Sequence, residues 1–405
     1  MTRFEPNALR RAMLLSAGGL LAAATAPTWA QAPAGAPVRV GGTLPLTGAL
    51  APVGAIHKLA TEVFIDLINK RGGLLGRKVE FVLFDDQSQP ANARTLYERL
   101  ITAEKVDLLM GPYGTGAIIA AMGVAQRFGK LFIQSSLGDP TLAPYDMQFP
   151  ALPIGPEPRS ADTELVLAAY ASLPAAPKTI AFVTSKFPSA LDLAKGGQEV
   201  ADKRGLKTAL ALEYEFGTRE FGGIAARIKD AKPDLLWSGA IGMEAVQLLD
   251  AMKRIDYLPK HHFYLFPAPG PTAAHASASG LTSLTWFEDH EPFLQNAGAA
   301  EFVAAFNKRA SSAGIPYPHA ESQAAAEFAA WQMLEAAAVG AGRIDDKQMA
   351  AWLKANPVKT VLGTRSFEGR FNSGPPDTKL KQVQDGKWVT VWPTKFRPRT
   401  ASFGT

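Results

Sequence analysis

The 405-residue sequence contains no cysteine. This absence excludes disulfides, thiolate metal sites and a cysteine nucleophile, and it also excludes a lipid-modified cysteine that would tether the chain to a membrane. After residue 37 the sequence has no low-complexity tract, and none of its apolar runs approaches the ~20 residues that a membrane-spanning helix needs. These absences predict a globular protein.

A large excess of charge of either sign is also missing. The sequence has 42 lysines and arginines against 37 aspartates and glutamates, which gives a formal net charge of +5. So small a surplus argues against nucleic acid or an anionic membrane as the main partner.

Motifs of the common enzyme classes are absent as well. The sequence has no G-x-S-x-G elbow, no phosphate loop and no G-x-G-x-x-G after a strand, and its six histidines lack metal-ligand spacing. We therefore predict that the protein is not an enzyme and holds no metal or cofactor. A periplasmic hydrolase that uses Ser135 and Ser136 remains an alternative, because convergent active sites have no fixed spacing.

Residues 1–30 have the features of an export signal. Arg10 and Arg11 precede a weakly apolar run over 12–26, and the small residues around Trp29 predict cleavage before Gln31. The run is too short and too rich in alanine for a membrane anchor. We expect export to the periplasm by the general secretory or the twin-arginine route.

Short apolar strands alternate with amphipathic helices in two series, which predicts an α/β fold with two doubly wound parallel sheets. A proline-rich stretch over 150–158 separates the two series, and about 375 residues exceed what one core usually holds. The predicted strands are 38–44, 79–84, 106–110 and 131–135 in the first series and about 179–185, 208–216, 234–240 and 262–268 in the second. From about 299 the pattern is mostly helical, with an alanine-rich helix over 320–339 and short strands near 359–367, 379–384 and 388–392.

Small hydroxyl residues follow two consecutive strands of the first series. Thr115 comes after one strand, and Ser135 and Ser136 come at the end of the next. Open α/β sheets bind small ligands at the carboxyl ends of their strands, where the next helix also offers free N–H groups. Thr115 could instead serve only as a helix cap, so both roles stay open.

Three charged segments are predicted to have structural roles. The pair Asp85-Asp86 is typical of a turn with helix capping, and His261-His262 is predicted to lie in a solvated turn. Residues 288–291 are predicted to be a solvated segment, with a metal or hinge role as the alternative.

Seven short motifs in order resemble the periplasmic solute-binding proteins of the branched-chain amino acid and amide class of ABC transporters, the leucine/isoleucine/valine-binding type. The resemblance covers essentially all of 38–395. The motifs include Leu44-Pro45-Leu46-Thr47-Gly48, the segment 67–77 ending in Gly-Gly-Leu-Leu-Gly-Arg, Asp85-Asp86-Gln87-Ser88, Gly111-Pro112-Tyr113, Phe367-Glu368-Gly369 and the segment 382–387.

The resemblance implies a type I periplasmic binding fold of two lobes joined by three crossover strands, near 153–157, 284–288 and 359–363. The first lobe would comprise 38–155 plus 287–360, and the second 156–286 plus 361–395. It further implies a monomer that closes by a hinge motion around one small molecule and delivers it to the membrane permease of an ABC transporter. A periplasmic sensor of the same fold is an alternative.

The resemblance also implies ligand contacts on both lobes. The family's hydroxyl contact to a ligand carboxylate falls on Thr115, and a second-lobe aromatic contact falls on Ser189, with Phe187 beside it. The predicted ligand-binding residues are Tyr113, Thr115, Gly116, Ser135, Ser136, Phe187, Ser189, Ile241, Met243, Pro267 and Ala268.

The ligand class follows from an acid that this sequence lacks. Amino acid binders of the family carry a glutamate for the ligand ammonium in the last cleft loop, whereas no acid occurs between Tyr264 and Gly280 here. Since a buried ammonium needs a compensating charge, we predict a small carboxylate or amide ligand without an α-ammonium group, with an aromatic ring as a candidate. A branched-chain amino acid is the alternative, if Glu244 or Asp139 reaches the cleft.

Overall fold

The computed structural model describes residues 35–142, 144–315 and 317–404. Five parallel strands form the first sheet, in the order β2-β1-β3-β4-β5. Its elements are β1 (Val38–Leu44), α1 (Ala51–Lys70), β2 (Val79–Asp85), α2 (Pro90–Thr102), β3 (Leu108–Met110), α3 (Thr115–Phe128), β4 (Phe132–Gln134) and β5 (Gln148–Pro150). The strands β1, β3 and β4 are largely buried, as expected of a parallel sheet covered by helices on both faces.

Seven strands form the second sheet, in the order β14-β13-β10-β9-β8-β6-β7. Neighbouring strands from β6 to β10 are parallel, whereas β13 pairs antiparallel with β10 and β14. The first group of elements is α4 (Pro158–Ala171), β6 (Thr179–Ser185), α5 (Pro188–Lys203), β7 (Lys207–Tyr214), α6 (Gly222–Ala231), β8 (Leu235–Gly242), α7 (Glu244–Arg254), β9 (His261–Pro267), α8 (Pro269–Ala273) and β10 (Thr282–Thr285).

The remaining elements return to both sheets. They are α9 (Ala299–Ala310), α10 (Ser322–Ala341), α11 (Asp346–Ala355), β11 (Val358–Thr360), β12 (Gly363–Arg365), β13 (Lys379–Gln384) and β14 (Lys387–Trp392). The helices α9 and α10 pack on α1, where the rings of Phe64 and Trp331 stack with centroids 5.6 Å apart. We call the first sheet with α1–α3 and α9–α11 the first lobe, and the second sheet with α4–α8 the second lobe.

The predicted α/β fold with two parallel-sheet lobes is confirmed. The chain passes between the sheets three times, after β5, after β10 and after β12. The third predicted crossover, near 359–363, falls on the short β11–β12 hairpin. The exact lobe boundaries stay a prediction.

Several elements escaped the sequence patterns, among them α4 and β5. The helix α4 begins at Pro158, inside the stretch that the sequence marked only as a boundary, because proline is well tolerated in the first turn of a helix. The strand β5 has three residues, too few to show a period.

The predicted solvated turn at 261–262 is wrong, and the predicted solvated segment over 288–291 is wrong at Glu288, whereas Glu291 is exposed. His261 and His262 begin β9, and burial lowers the pKa of His262 to about 4. Glu288 is 2% exposed and its carboxylate lies 2.9 Å from the ammonium of Lys381. The second sheet covers the histidine pair, and the return of β13 covers Glu288.

The export signal predicted over 1–30 lies outside the described residues. Within the described ranges, no helix combines the length and apolar character that crossing a membrane requires. The same ranges contain no group of three or more histidine, aspartate or glutamate side chains arranged to hold a metal ion.

Candidate ligand-binding site

A cavity of about 420 Å³ lies between the two lobes, at the carboxyl ends of the strands. This is the edge at which open parallel sheets hold small molecules. The first lobe contributes the loops after β3, β4 and β5, and the second contributes residues at the ends of β6, β8 and β9. The lining residues are Tyr113, Gly114, Thr115, Ser136, Leu152, Phe187, Ser189, Ile241, Phe266, Trp286, Ser322 and Gln323.

Two hydroxyl groups from opposite lobes meet in this cavity. Thr115 is the first residue of α3 and Ser189 lies in the first turn of α5. The Thr115 hydroxyl donates a hydrogen bond to Ser189 Oγ at 3.0 Å. The cap residue of α3 is Gly114, with φ 95° and no side-chain capping bond, so Thr115 does not cap the helix. Its side chain therefore faces the cavity and the other lobe.

The N-termini of α3 and α5 both point at the same space. The first helical backbone bonds run from Ile118 to Gly114 and from Leu191 to Phe187, which leaves the N–H groups of Gly116 and Ala190 without a partner inside their helices. Unpaired N–H groups and the positive ends of two helix dipoles favour an anion. None of the lining side chains carries a charge, so the helix ends that reach the cavity at Thr115 and Ser189 are its positive features.

Aromatic rings form the apolar walls. The rings of Phe266 and Trp286 are stacked at an interplanar angle of 27°, with centroids 6.5 Å apart, and Phe187 packs against Phe216 at 5.1 Å. Flat apolar walls suit a ring or a branched apolar group of the ligand.

A glycine lets the lobes approach this closely. A Cβ atom at Gly138 would lie 3.0 Å from the Cβ of Ser189, closer than most real contacts. A larger residue at this position would require the loop after β4 and α5 to move apart by a few tenths of an ångström.

The structure brings six of the predicted contacts into the cavity: Tyr113, Thr115, Ser136, Phe187, Ser189 and Ile241. Gly116 instead lines a larger cavity of about 1010 Å³ at the mouth of the cleft. Pro267 lines an adjoining cavity of about 270 Å³, on the far side of Phe266 and Trp286. Met243 and Ala268 precede α7 and α8 and are not among the residues that line these three cavities.

Ser135 faces away from the cavity. It is 1% exposed, and its hydroxyl donates to the carboxylate of Glu327 at 2.8 Å. Successive strand residues point to opposite sides, so Ser136 faces the cleft while Ser135 faces the core of the first lobe.

The same geometry disfavours a Ser135 nucleophile. His57 Nδ1 lies 3.4 Å from Ser135 Oγ and 3.1 Å from Glu327 Oε2. In a nucleophilic triad the base stands between hydroxyl and acid and uses a different ring nitrogen for each. Here the hydroxyl and the same imidazole nitrogen both contact the acid, in a buried core.

The acids considered as substitutes for the missing glutamate are occupied elsewhere. Glu244 accepts hydrogen bonds from the N–H groups of Ile241 and Gly217 at 3.0 Å, and burial raises its pKa. Asp139 accepts from the N–H of Thr141 at 2.8 Å. Neither side chain lines the cavity.

The sequence reading missed several lining residues, among them Trp286, Ser322 and Gln323. Trp286 follows β10, and the other two begin α10. The one available signal was a glutamine within a helix made largely of alanine, since a polar side chain in an otherwise buried helix needs a partner.

Comparisons with known proteins agree with this architecture. The family model described as "Periplasmic binding protein" matches residues 37–387. The Leu/Ile/Val-binding protein BraC3 of Rhizobium johnstonii is 26% identical, over 88% of this chain and 94% of its own length. The Leu/Ile/Val-binding protein homolog 3 of Brucella melitensis is 24% identical, over 87% of this chain and 93% of its own length.

Solved structures share the fold over nearly the same span. A solute-binding protein of an ABC transporter from R. palustris, in complex with benzoate, has a TM-score of 0.72 at 23% identity and covers 88% of this chain and 95% of its own. The leucine-binding protein LivK of Thermotoga maritima has a TM-score of 0.75 at 16% identity, covering 87% and 97%. Since the family model spans nearly the whole described chain, this protein belongs to the periplasmic binding protein family.

Proposed function

We propose that this protein is the periplasmic solute receptor of an ABC importer and that it binds a small organic carboxylate or amide between its lobes. The observation that carries the proposal is the meeting of the α3 and α5 N-termini in a cavity whose lining side chains bear no charge. Two positive helix ends stabilise a carboxylate, whereas an ammonium group would be desolvated with no acid to pair with it.

The ligand carries an apolar body, with an aromatic acid as the first candidate. Phe187, Phe266 and Trp286 give the cavity flat walls. Two fold neighbours are described in complex with benzoate and with 3,4-dihydroxy benzoic acid.

A branched-chain amino acid receptor is the second candidate. It is favoured by the relatives named Leu/Ile/Val-binding proteins, which align over nearly all of the chain. Against it stands the absence of an acid among the residues that line the cavity.

The rest of the proposal follows from the two-lobed architecture. The receptor works as a monomer, releases its ligand unchanged to a membrane permease, and divides into 38–155 plus 287–360 and 156–286 plus 361–395. The contact between Thr115 and Ser189 across the cleft supports a closed state that a permease can distinguish from an open one.

A calorimetric panel tests the ligand class. Benzoate, 4-hydroxybenzoate and benzamide are titrated beside leucine and isoleucine, and we expect micromolar or tighter binding in the aromatic group only. Micromolar binding of leucine with the aromatic compounds inert would overturn the assignment. Mass spectrometry of the recovered ligand should show no product, since a receptor returns its ligand unchanged.

A further inference from the structure

We propose that Gln323 is a specificity residue of the ligand cavity, and that Glu327 and His57 turn its amide N–H₂ group toward the ligand. The inference rests on the proposed function and deepens it by adding a donor for an acceptor oxygen of the ligand. It starts from a buried polar network behind the cavity wall, built from α1, β4 and α10.

Glu327 is 1% exposed, and every contact of its carboxylate is with a donor. Oε1 accepts from the Thr61 hydroxyl at 2.9 Å and from the Trp331 indole N–H at 3.0 Å. Oε2 accepts from the Ser135 hydroxyl at 2.8 Å and lies 3.1 Å from His57 Nδ1. Two hydroxyl groups, an indole N–H and an imidazole therefore surround the two oxygens, an arrangement that stabilises a carboxylate.

A buried carboxylate needs a positive partner as well as donors. Within the described residues, the ionisable cation in contact with Glu327 is His57, which is itself completely buried. In that pairing the imidazole directs Nδ1–H at Glu327 and has Nε2–H as a second donor. Its ring is flanked by Tyr113, with centroids 4.7 Å apart.

The second imidazole N–H then fixes the glutamine. His57 Nε2 lies 3.3 Å from Gln323 Oε1, which must accept because a doubly protonated imidazole can only donate. The Gln323 Nε2 group is left without a hydrogen-bond partner among the residues that the structure describes. Gln323 is half-buried in the first turn of α10 and lines the cavity, so this group is available to the ligand.

The consequence is selection for an acceptor oxygen. If His57 Nε2 carried no proton, the Gln323 amide would turn over to donate to it. Gln323 Oε1 would then face the cavity, which suits a ligand donor such as an ammonium group. With His57 doubly protonated the amide offers N–H, which suits a carboxylate or a carbonyl. His57 and Glu327, in the core of the first lobe, thus determine whether Gln323 presents a donor or an acceptor to the cavity.

Nitrogen NMR of histidine-labelled, ligand-free protein tests the orientation directly, with a His57→Gln spectrum for assignment. We expect the proton signal of His57 on Nε2, the nitrogen that faces Gln323 Oε1. A His57 ring with an unprotonated Nε2 would overturn the inference whatever the ligand is.

Calorimetry tests the consequence with benzoate and benzamide as probes. Gln323→Glu replaces the donor by an anionic acceptor of the same shape and should weaken benzoate binding about 10- to 100-fold. Gln348→Glu makes the same charge change at an exposed position of α11 and should leave binding unaltered.

Glu327→Gln provides a readout that a purely structural role would not move. Removing the carboxylate releases the second proton of His57 and lets the Gln323 amide turn over. Because benzamide offers both an acceptor and a donor, the affinity ratio of benzamide to benzoate should rise about tenfold. Equal losses for both probes, or benzoate binding by Gln323→Glu at the wild-type level, would contradict the inference. If wild-type protein binds no panel compound, the proposed function fails and the NMR result alone decides the inference.

Discussion

The two lobes bring different chemistry to one cavity. The first lobe supplies most of the polar groups, with Thr115 and Ser136 on the loops and Gln323 on α10. The second lobe supplies mainly apolar surface from Phe187, Ile241 and Phe266, with Ser189 as its hydroxyl. The first lobe is therefore suited to orient a polar group, and the second to cover the ligand and exclude water when the lobes close.

Two buried carboxyl groups, one in each lobe, differ in the partners that surround them. Glu327 in the first lobe is surrounded by four donors, whereas Asp162 on α4 has the Thr378 hydroxyl as its hydrogen-bond partner. Desolvation raises the pKa of Asp162 from 3.8 to about 7. Asp162, with few partners, therefore resists ionisation.

The largest effect we expect is on the pH dependence of stability. The folded protein holds the Asp162 proton more tightly than the unfolded chain does. The free energy of unfolding that Asp162 contributes is therefore constant below about pH 3.8, falls between about pH 3.8 and about pH 7, and is constant again above that. The Asp162→Asn variant does not lose this stability as the pH rises. Its free energy of unfolding, relative to that of wild type, should therefore increase by about 2–3 kcal/mol between pH 5 and pH 8. Urea unfolding of both proteins at both pH values measures this difference. A difference that does not change with pH would contradict the raised pKa of Asp162.

Removing an aromatic wall should cost the most in binding. Phe266→Ala exposes the apolar part of the ligand and the face of Trp286, with an expected loss of about 2–3 kcal/mol in benzoate binding. Phe128→Ala, at a ring that is 40% exposed on α3, serves as the control and should bind normally. Unaltered benzoate affinity in Phe266→Ala would show that the second lobe does not cover the ligand.

The Thr115 hydroxyl should matter for binding more than for folding. Thr115→Val keeps the shape and removes the donor, which costs about 1.5 kcal/mol or slightly more if the ligand is a carboxylate. Calorimetry and thermal unfolding are compared on the same sample. Intact benzoate affinity with a lowered melting temperature would assign Thr115 to the helix rather than to the ligand.

Closure should respond to a single methyl group at the lobe contact. Gly138→Ala places a Cβ 3.0 Å from that of Ser189 and holds the lobes slightly apart, for an expected cost of about 1 kcal/mol in ligand affinity. X-ray scattering should show compaction of wild type by benzoate and less compaction of the variant. If benzoate compacted the wild type and the Gly138→Ala variant equally, the lobes would not meet at Gly138 and Ser189 on closing.

The fold and part of the cavity could be predicted because they depend on local patterns. Strand ends in a parallel sheet converge, so Thr115 and Ser136 could be placed in one cleft from their positions after strands, whereas Ser189 was placed by the family resemblance. Ser135 was placed wrongly in the cavity because the side of a short strand that a residue faces depends on register, which the sequence does not show.

The remaining wall depends on contacts between distant segments. Trp286 and Gln323 come from the crossover after β10 and the start of α10, and Gln323 gains its orientation from His57, 266 residues earlier in the chain. The burial of Glu288 beside Lys381 has the same origin, since β13 returns from the far end of the chain to cover it.

The central claim, that two helix N-termini hold one anionic group in an uncharged cavity, is tested most directly by two probes of the same ring and opposite charge. Benzoate and benzylamine are titrated into wild-type protein by calorimetry under identical conditions. We predict micromolar or tighter binding of benzoate and no measurable binding of benzylamine. Binding of benzylamine as tightly as benzoate would contradict the account.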